Sequence, residues 1–128
     1  MMKFNEKVRL LKKKVGDKIL FVQNGNFYIA IGRDAVFLHE LLNLKCTCFI
    51  KYLCKAGVPI KSLSKYLRAL REREISYIVY DNINGELKVK ENFEDRNNNT
   101  TLLYNLGCED CKNAIYIYER EEIKKILS

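Results

Sequence analysis

Phe4, Val8, Leu11 and Val15 recur at i, i+4, i+7 and i+11, which is one face of a helix over residues 4 to 15. Gly16 is its expected stop. Residues 18 to 23 and 26 to 31 are β-rich runs around Asn24-Gly25, so the spacing predicts a hairpin with a type I′ turn at that pair. Gly32 ends the second run, and Asp34 is placed to cap a helix carrying Ala35, Val36, Leu38, Leu41 and Leu42. Residues 44 to 53 are strand-like, and Ala56-Gly57-Val58-Pro59 reads as a break. Leu63, Tyr66, Leu67 and Leu70 form the cleanest apolar stripe of the chain, with Lys61, Lys65 and Arg68 on another face and Arg71 near them.

Residues 75 to 80 (ISYIVY) predict a buried strand, residues 82 to 85 a turn, and residues 87 to 90 a half-exposed strand. The stretch from Glu94 to Thr100 is polar, and residues 101 to 107 carry no clear pattern. Residues 114 to 118 (AIYIY) read as a strand and residues 119 to 127 as a closing helix. Strands interleaved with helices imply an α/β or α+β fold, a mixed sheet with flanking helices. At 128 residues, with no internal repeat and no long linker, the chain is expected to form a single domain, 1–128.

Charge adds a direction to this picture. Residues 1 to 80 hold 16 Lys or Arg against 6 Asp or Glu, whereas residues 81 to 128 hold 7 against 10. The basic first part suits a polyanion, and it also suits a solvated face that keeps the protein soluble. No apolar run approaches the roughly 20 residues that span a membrane, and the N-terminus does not read as a signal peptide, so the expected location is cytoplasmic. Five cysteines, an odd number, then read as free thiols. Cys46, Cys48, Cys108 and Cys111 are the one set with a conceivable zinc reading, but a C-x-C on a strand is poor geometry for it, and no cofactor or metal is expected. His39 has no second histidine to work with and is expected at the surface or boundary. No nucleophile, base and orienter can be assembled, so no catalysis is expected.

Several words in order carry a resemblance. Gly25-Asn26-Phe27-Tyr28-Ile29, Asp34-Ala35, Gly57-Val58-Pro59, Tyr66-Leu67 and then ISYIVY follow one another over residues 19 to 81. This stretch resembles the N-terminal mismatch-recognition domain of the MutS DNA mismatch repair proteins, where the places read Gly-Asp-Phe-Tyr-Glu, Asp-Ala, Gly-Ile/Val-Pro and Tyr-Leu. Residues 82 to 128 show no such correspondence. The resemblance implies that Phe27 wedges into a duplex beside a mismatched base. It also exposes a loss: the Glu that hydrogen-bonds the base is here Ile29, and the Asp before the Phe is Asn26. The sequence has no G-x-x-x-x-G-K-[ST] phosphate loop.

Strand alternation puts Phe27 and Ile29 on one face and Tyr28 and Ala30 on the other, which leaves two readings open. Phe27 is either packed in a core or displayed. The leading expectation is a stand-alone, non-catalytic module that binds distorted or mismatched double-stranded DNA. Its contacts would come from Phe27, Tyr28 and Asn26 at the defect, and from Lys12, Lys13, Lys14, Lys61, Lys65 and Arg68 on phosphates. The alternative is a protein-interaction or regulatory module, or a homodimer, that kept the fold and uses Phe27 and Ile29 as an apolar contact.

Overall fold

The computed structural model describes residues 3–50 and 53–94. The element order is α1 (Phe4–Val15), β1 (Ile19–Asn24), β2 (Phe27–Ile31), α2 (Arg33–Leu42), β3 (Cys46–Ile50), β4 (Leu53–Pro59), a 3-10 turn (Ile60–Ser62), α3 (Leu63–Glu72), β5 (Tyr77–Ile83) and β6 (Glu86–Phe93). The strands form one mixed sheet of order β3-β4-β2-β1-β5-β6. The β1–β5 pair is parallel and the other pairs are antiparallel. The architecture is thus the expected mixed sheet with flanking helices.

Alternation along the strands divides the apolar residues between two faces. Leu20, Val22, Ile78 and Tyr80 pack with Val8 of α1, and Phe4, Leu11 and Val15 complete that layer. Ile19, Phe21, Tyr28, Ala30, Val58, Tyr77 and Val79 face the other way, onto Phe37 and Leu38 of α2 and Leu63, Leu67 and Leu70 of α3. The helical stripes read from the sequence are therefore the ones that cover the sheet.

Three local expectations are corrected. First, the β1–β2 register pairs Asn24 with Phe27, so the turn residues are Gly25-Asn26 and not Asn24-Gly25. Gly25 has φ +63 and Asn26 is not left-handed, the pattern of a type II′ turn, which needs Gly at its first central position. The type I′ pattern falls instead at Asn84-Gly85, where both φ are positive, between the paired Ile83 and Glu86. Strand β5 therefore runs on to Ile83 through part of the predicted turn.

Second, β4 does not break at Gly57-Val58-Pro59 but runs through to Pro59, and the predicted strand over residues 44 to 53 is divided between β3 and β4. Ile60 N–H donates to the Asn26 carbonyl at 3.1 Å, which makes Phe27 and Pro59 a non-hydrogen-bonded pair. Pro59 nitrogen thus faces away from β2. On that side the β3 register has ended at Cys46 opposite Ala56, so the missing N–H costs no ladder bond.

Third, Asp34 does not cap α2. Gly32 stands at the N-cap with no side-chain cap bond, and Asp34 lies inside the first turn and is buried. Its carboxylate accepts the Leu20 backbone N–H at 3.0 Å and the Lys12 ammonium at 2.9 Å. The reason is topological. Ile19 N–H serves the Ser76 carbonyl toward β5, so Leu20 N–H faces β2, and the β1–β2 register stops at Val22 opposite Ile29. The helix after β2 supplies the acceptor that the strand no longer offers.

Two tyrosines tie β6 to the helical face. Tyr77 hydroxyl accepts from Arg71 at 2.6 Å and donates to Glu91 at 2.7 Å. Tyr28 hydroxyl donates to Asp81 at 2.5 Å and accepts from Lys90 at 3.4 Å. Burial, followed by the neighbouring carboxylate, pushes both phenols above the ordinary tyrosine value of 10.0, and the Tyr28 hydroxyl in turn raises Lys90. A raised folded pKa favours the protonated phenol. The stability it contributes is complete below the unfolded value and is lost as pH rises through the higher folded value. In an alkaline titration followed by phenolate absorbance, Tyr28 and Tyr77 are expected to ionise in a late phase above the ordinary tyrosine value, together with loss of the circular-dichroism signal. Tyr77→Phe should remove its share of the late phase. Late ionisation that persists unchanged in Tyr28→Phe and Tyr77→Phe contradicts the assignment.

Candidate nucleic-acid interface

One end of the sheet gathers the β1–β2 turn, the exit of β4, the β5–β6 turn and the start of α1. Side chains and backbone tie these pieces together. Gln23 Oε1 accepts the Asn82 N–H at 3.0 Å, one step past the end of the β1–β5 ladder. Gln23 Nε2 donates to Gly25 O at 3.3 Å. Asn82 Oδ1 accepts Gly85 N–H at 2.9 Å, and Lys7 Nζ donates to Gly85 O at 3.4 Å. With the Ile60–Asn26 backbone bond, two turns and a strand exit are held as one rim.

Phe27 opens β2 on this rim and is 46% exposed. Ile29, on the same face two residues on, is only 6% exposed. The face is therefore neither uniformly core nor uniformly displayed. Gly57 lies opposite Ile29 in the register, and a Cβ added to it would stand 3.3 Å from Ile29 Cδ1 and 3.6 Å from Phe27 Cδ1. The absent side chain leaves a seat: Ile29 fills it, and Phe27 rests its inner edge on it while the rest of the ring faces outward. Val22, fully buried, flanks Ile29 on the β1 side.

The other sequence-predicted residues divide. Asn26 is exposed in the turn beside Phe27. Tyr28 is 2% exposed and points into the opposite face, so its ring belongs to the core and not to the displayed surface. Lys61 and Lys65 are exposed at the start of α3, close to the exit of β4 at the Phe27 end. Lys65 ammonium lies 5.7 Å from the Tyr66 ring centroid. Arg68 is about 10 Å further along the helix than Lys61 and bonds Glu72 at 3.1 Å.

Lys12, Lys13 and Lys14 are not part of this assembly. They end α1, on the opposite layer from α3, and Lys12 Nζ donates to the Lys18 carbonyl at 2.6 Å where β1 begins. That places them a strand length, roughly 17–20 Å, from the turn. Lys12 is in addition committed to Asp34. Topology thus places these lysines apart from Lys61, Lys65 and Arg68. Lys7, on the first turns of α1, is the α1 lysine that reaches the rim, and sequence reasoning passed over it because it is one of several lysines off the stripe. Ile60, 40% exposed, was also passed over, although it directly follows the Gly57-Val58-Pro59 word.

His39 is half-buried, as expected of a boundary residue, and its Nδ1 donates to Leu44 O at 2.7 Å. Cys46 and Cys48 lie on β3, opposite Ala56 and Cys54. Among the described residues no group of three or more His, Cys, Asp or Glu is placed to hold a metal ion. Cys108, Cys111 and the predicted elements at residues 114 to 127 lie outside the described residues. No described helix is long and apolar enough to cross a membrane.

Compared with known families, residues 2–101 match the family model described as MutS domain I. The match extends past Asp81 and takes in β6, where the sequence reading found no correspondence. No curated protein matches the chain.

Proposed function

The chain belongs to the MutS domain I family, a DNA-binding domain family of mismatch repair, and from that premise we propose that it is a stand-alone, non-catalytic module that binds mismatched or distorted duplex DNA through shape. The observation that carries the reading is Phe27, a large apolar ring half exposed at the β1–β2 turn, whose inner edge rests over Gly57 beside Ile29. Inserting such a ring replaces the stacking of one base step. Unstacking a step costs about a few kcal/mol, and less where pairing is already lost, so a defect binds better than an intact duplex.

Two residues after the ring this chain has no carboxylate to read a base. Ile29 stands at that position and is turned into the seat. Selection therefore follows deformability, with little distinction between one mispair and another. Lys61 and Lys65 on the α3 side and Lys7 on the α1 side supply phosphate contacts around the ring. With two to four phosphates neutralised, log K falls with log salt at a slope of roughly −2 to −4.

The test is a titration of short fluorescent duplexes, fully paired or with one defect, against the wild-type chain and Phe27→Ala. Wild type is expected to prefer the defective duplex, and Phe27→Ala to lose that preference while keeping weak, salt-sensitive binding. Because Phe27 is half exposed, its removal should change stability by less than about 1 kcal/mol. If neither protein binds at low salt, the reading fails, and the rim becomes a candidate protein-contact or dimer surface.

A further inference from the structure

Cys48 on β3 stands directly opposite Cys54 on β4. The kind of pair they form follows from one hydrogen bond at the far end of β4. The Ile60–Asn26 bond makes Phe27 and Pro59 a non-hydrogen-bonded pair. Alternation along β4 then turns the N–H and C=O of residues 56 and 58 toward β2, and those of residues 55 and 57 toward β3. Lys55 and Thr47 are therefore a hydrogen-bonded pair, and Cys48 and Cys54, one step on, are a non-hydrogen-bonded pair. Residues opposite each other in such a pair have Cα atoms about 4.5 Å apart. That lies at the short end of the roughly 4.4–6.8 Å over which a disulfide closes. Cys46 has Ala56 opposite it and is diagonal to Cys54, at about 7–8 Å, beyond that reach.

We propose that Cys48 and Cys54 are a redox-active pair that closes into a reversible cross-strand disulfide by exchange with low-molecular-weight disulfides of the glutathione class. The thiolate of one cysteine attacks a sulfur of the small disulfide. The small S–S bond breaks, one small thiol leaves, and a mixed disulfide remains. The second cysteine, as thiolate, attacks the protein sulfur of that mixed disulfide and expels the other small thiol. Two protein thiols are oxidised to one disulfide, one small disulfide is reduced, and both protons leave with the small thiols. The second step is favoured because the register already holds one cysteine opposite the other. A link at the short end of the distance range is reduced more easily than a structural disulfide, so reduced glutathione reopens it. β3 is an edge strand of the described sheet, and its ladder with β4 shifts register just past Cys48. The bond thus fastens the last regular pair of an edge hairpin whose second strand carries Gly57 to the Phe27 rim.

The experiment exposes the reduced full chain to glutathione buffers of rising oxidised fraction, blocks free thiols with iodoacetamide and maps linked peptides by mass spectrometry. It is run on the native chain and in urea. Trypsin cuts after Lys51, so the link joins residues 46–51 to residues 52–55. In the native chain the Cys48–Cys54 link is expected to exceed Cys46–Cys54 by more than about tenfold, since the diagonal pair needs backbone movement to close. In urea the register is gone, and the two links should form in comparable amounts. Cys46→Ser should keep the native link. Cys48→Ser and Cys54→Ser should leave a mixed disulfide with glutathione in its place. Excess reduced glutathione should restore the thiols of the wild type. A native chain that gives the same mixture of links as in urea, or that stops at mixed disulfides on both cysteines, overturns the pair. A link that resists reduced glutathione overturns the reversible exchange. Matching circular-dichroism spectra for wild type and the three serine variants exclude loss of fold as the cause.

Discussion

Replacing Asp34 by Ala is expected to lower the stability of this domain by about 3–5 kcal/mol, a large share of the roughly 5–15 kcal/mol that holds a typical domain together. Two deficits add. Leu20 N–H, in the buried core, loses its acceptor, and Lys12, with its side chain largely covered, loses its counter-charge. The Lys18 carbonyl at 2.6 Å keeps the ammonium in place but does not neutralise it. Asp34→Asn should fall between, because an amide oxygen still accepts from Leu20 while the charge is gone. Lys12→Met combined with Asp34→Asn should cost less than the sum of the two single changes, since each single change strands one charge of the pair and the double variant strands none. Exposed Lys13→Ala should stay within about 0.5 kcal/mol. Urea unfolding of the set measures all of this. A full-stability Asp34→Ala contradicts the bridge between α1, β1 and α2.

Ile29→Glu is the second large effect. It restores the residue type that the MutS resemblance places two positions after the Phe, yet here the expected result is a loss of about 2–4 kcal/mol and no gain in mismatch discrimination. The side chain is 6% exposed and lies over Gly57, beside buried Val22. A carboxylate there exchanges an apolar contact for a desolvated charge. Ile29→Val, which keeps the apolar contact, should cost less than about 1.5 kcal/mol. Urea unfolding together with duplex titration checks both halves. A Glu variant as stable as wild type that also distinguishes mispairs would mean that position 29 can turn outward, and that the seat over Gly57 does not govern it.

These two residues also show where the sequence stops. Asp34 was legible as a helix-start residue because Asp ahead of an apolar stripe is a local signal. Its actual partners, Leu20 and Lys12, come from two other elements, and no local pattern ties a helix start to the point where a ladder runs out. The turn at Gly25-Asn26 was located to within one residue, yet its type depended on the strand register, which the pairing of Asn24 with Phe27 sets across the hairpin. Pro59 looked like a breaker because proline lacks an N–H. Whether that matters depends on which side of the strand the nitrogen faces, and on whether a neighbour is there to accept.

The sequence by itself determined the order and type of the described elements other than the β3–β4 pair, the apolar faces of α1, α2 and α3, the mixed sheet and the family, because periodicity and short words are properties of consecutive residues. Only the tertiary structure decided which side chains meet at the candidate interface. Alternation alone puts Phe27 and Ile29 on one face. The depth of each below the surface depends on Gly57 across the sheet and on how far the helical layer extends over it. The basic residues of α1 and α3 are similar in composition, but the sheet separates them. Lys13 and Lys14 end on one layer at one end, whereas Lys61 and Lys65 begin on the other layer at the opposite end, because a chain that enters β1 from α1 and leaves β4 into α3 meets the sheet at its two ends.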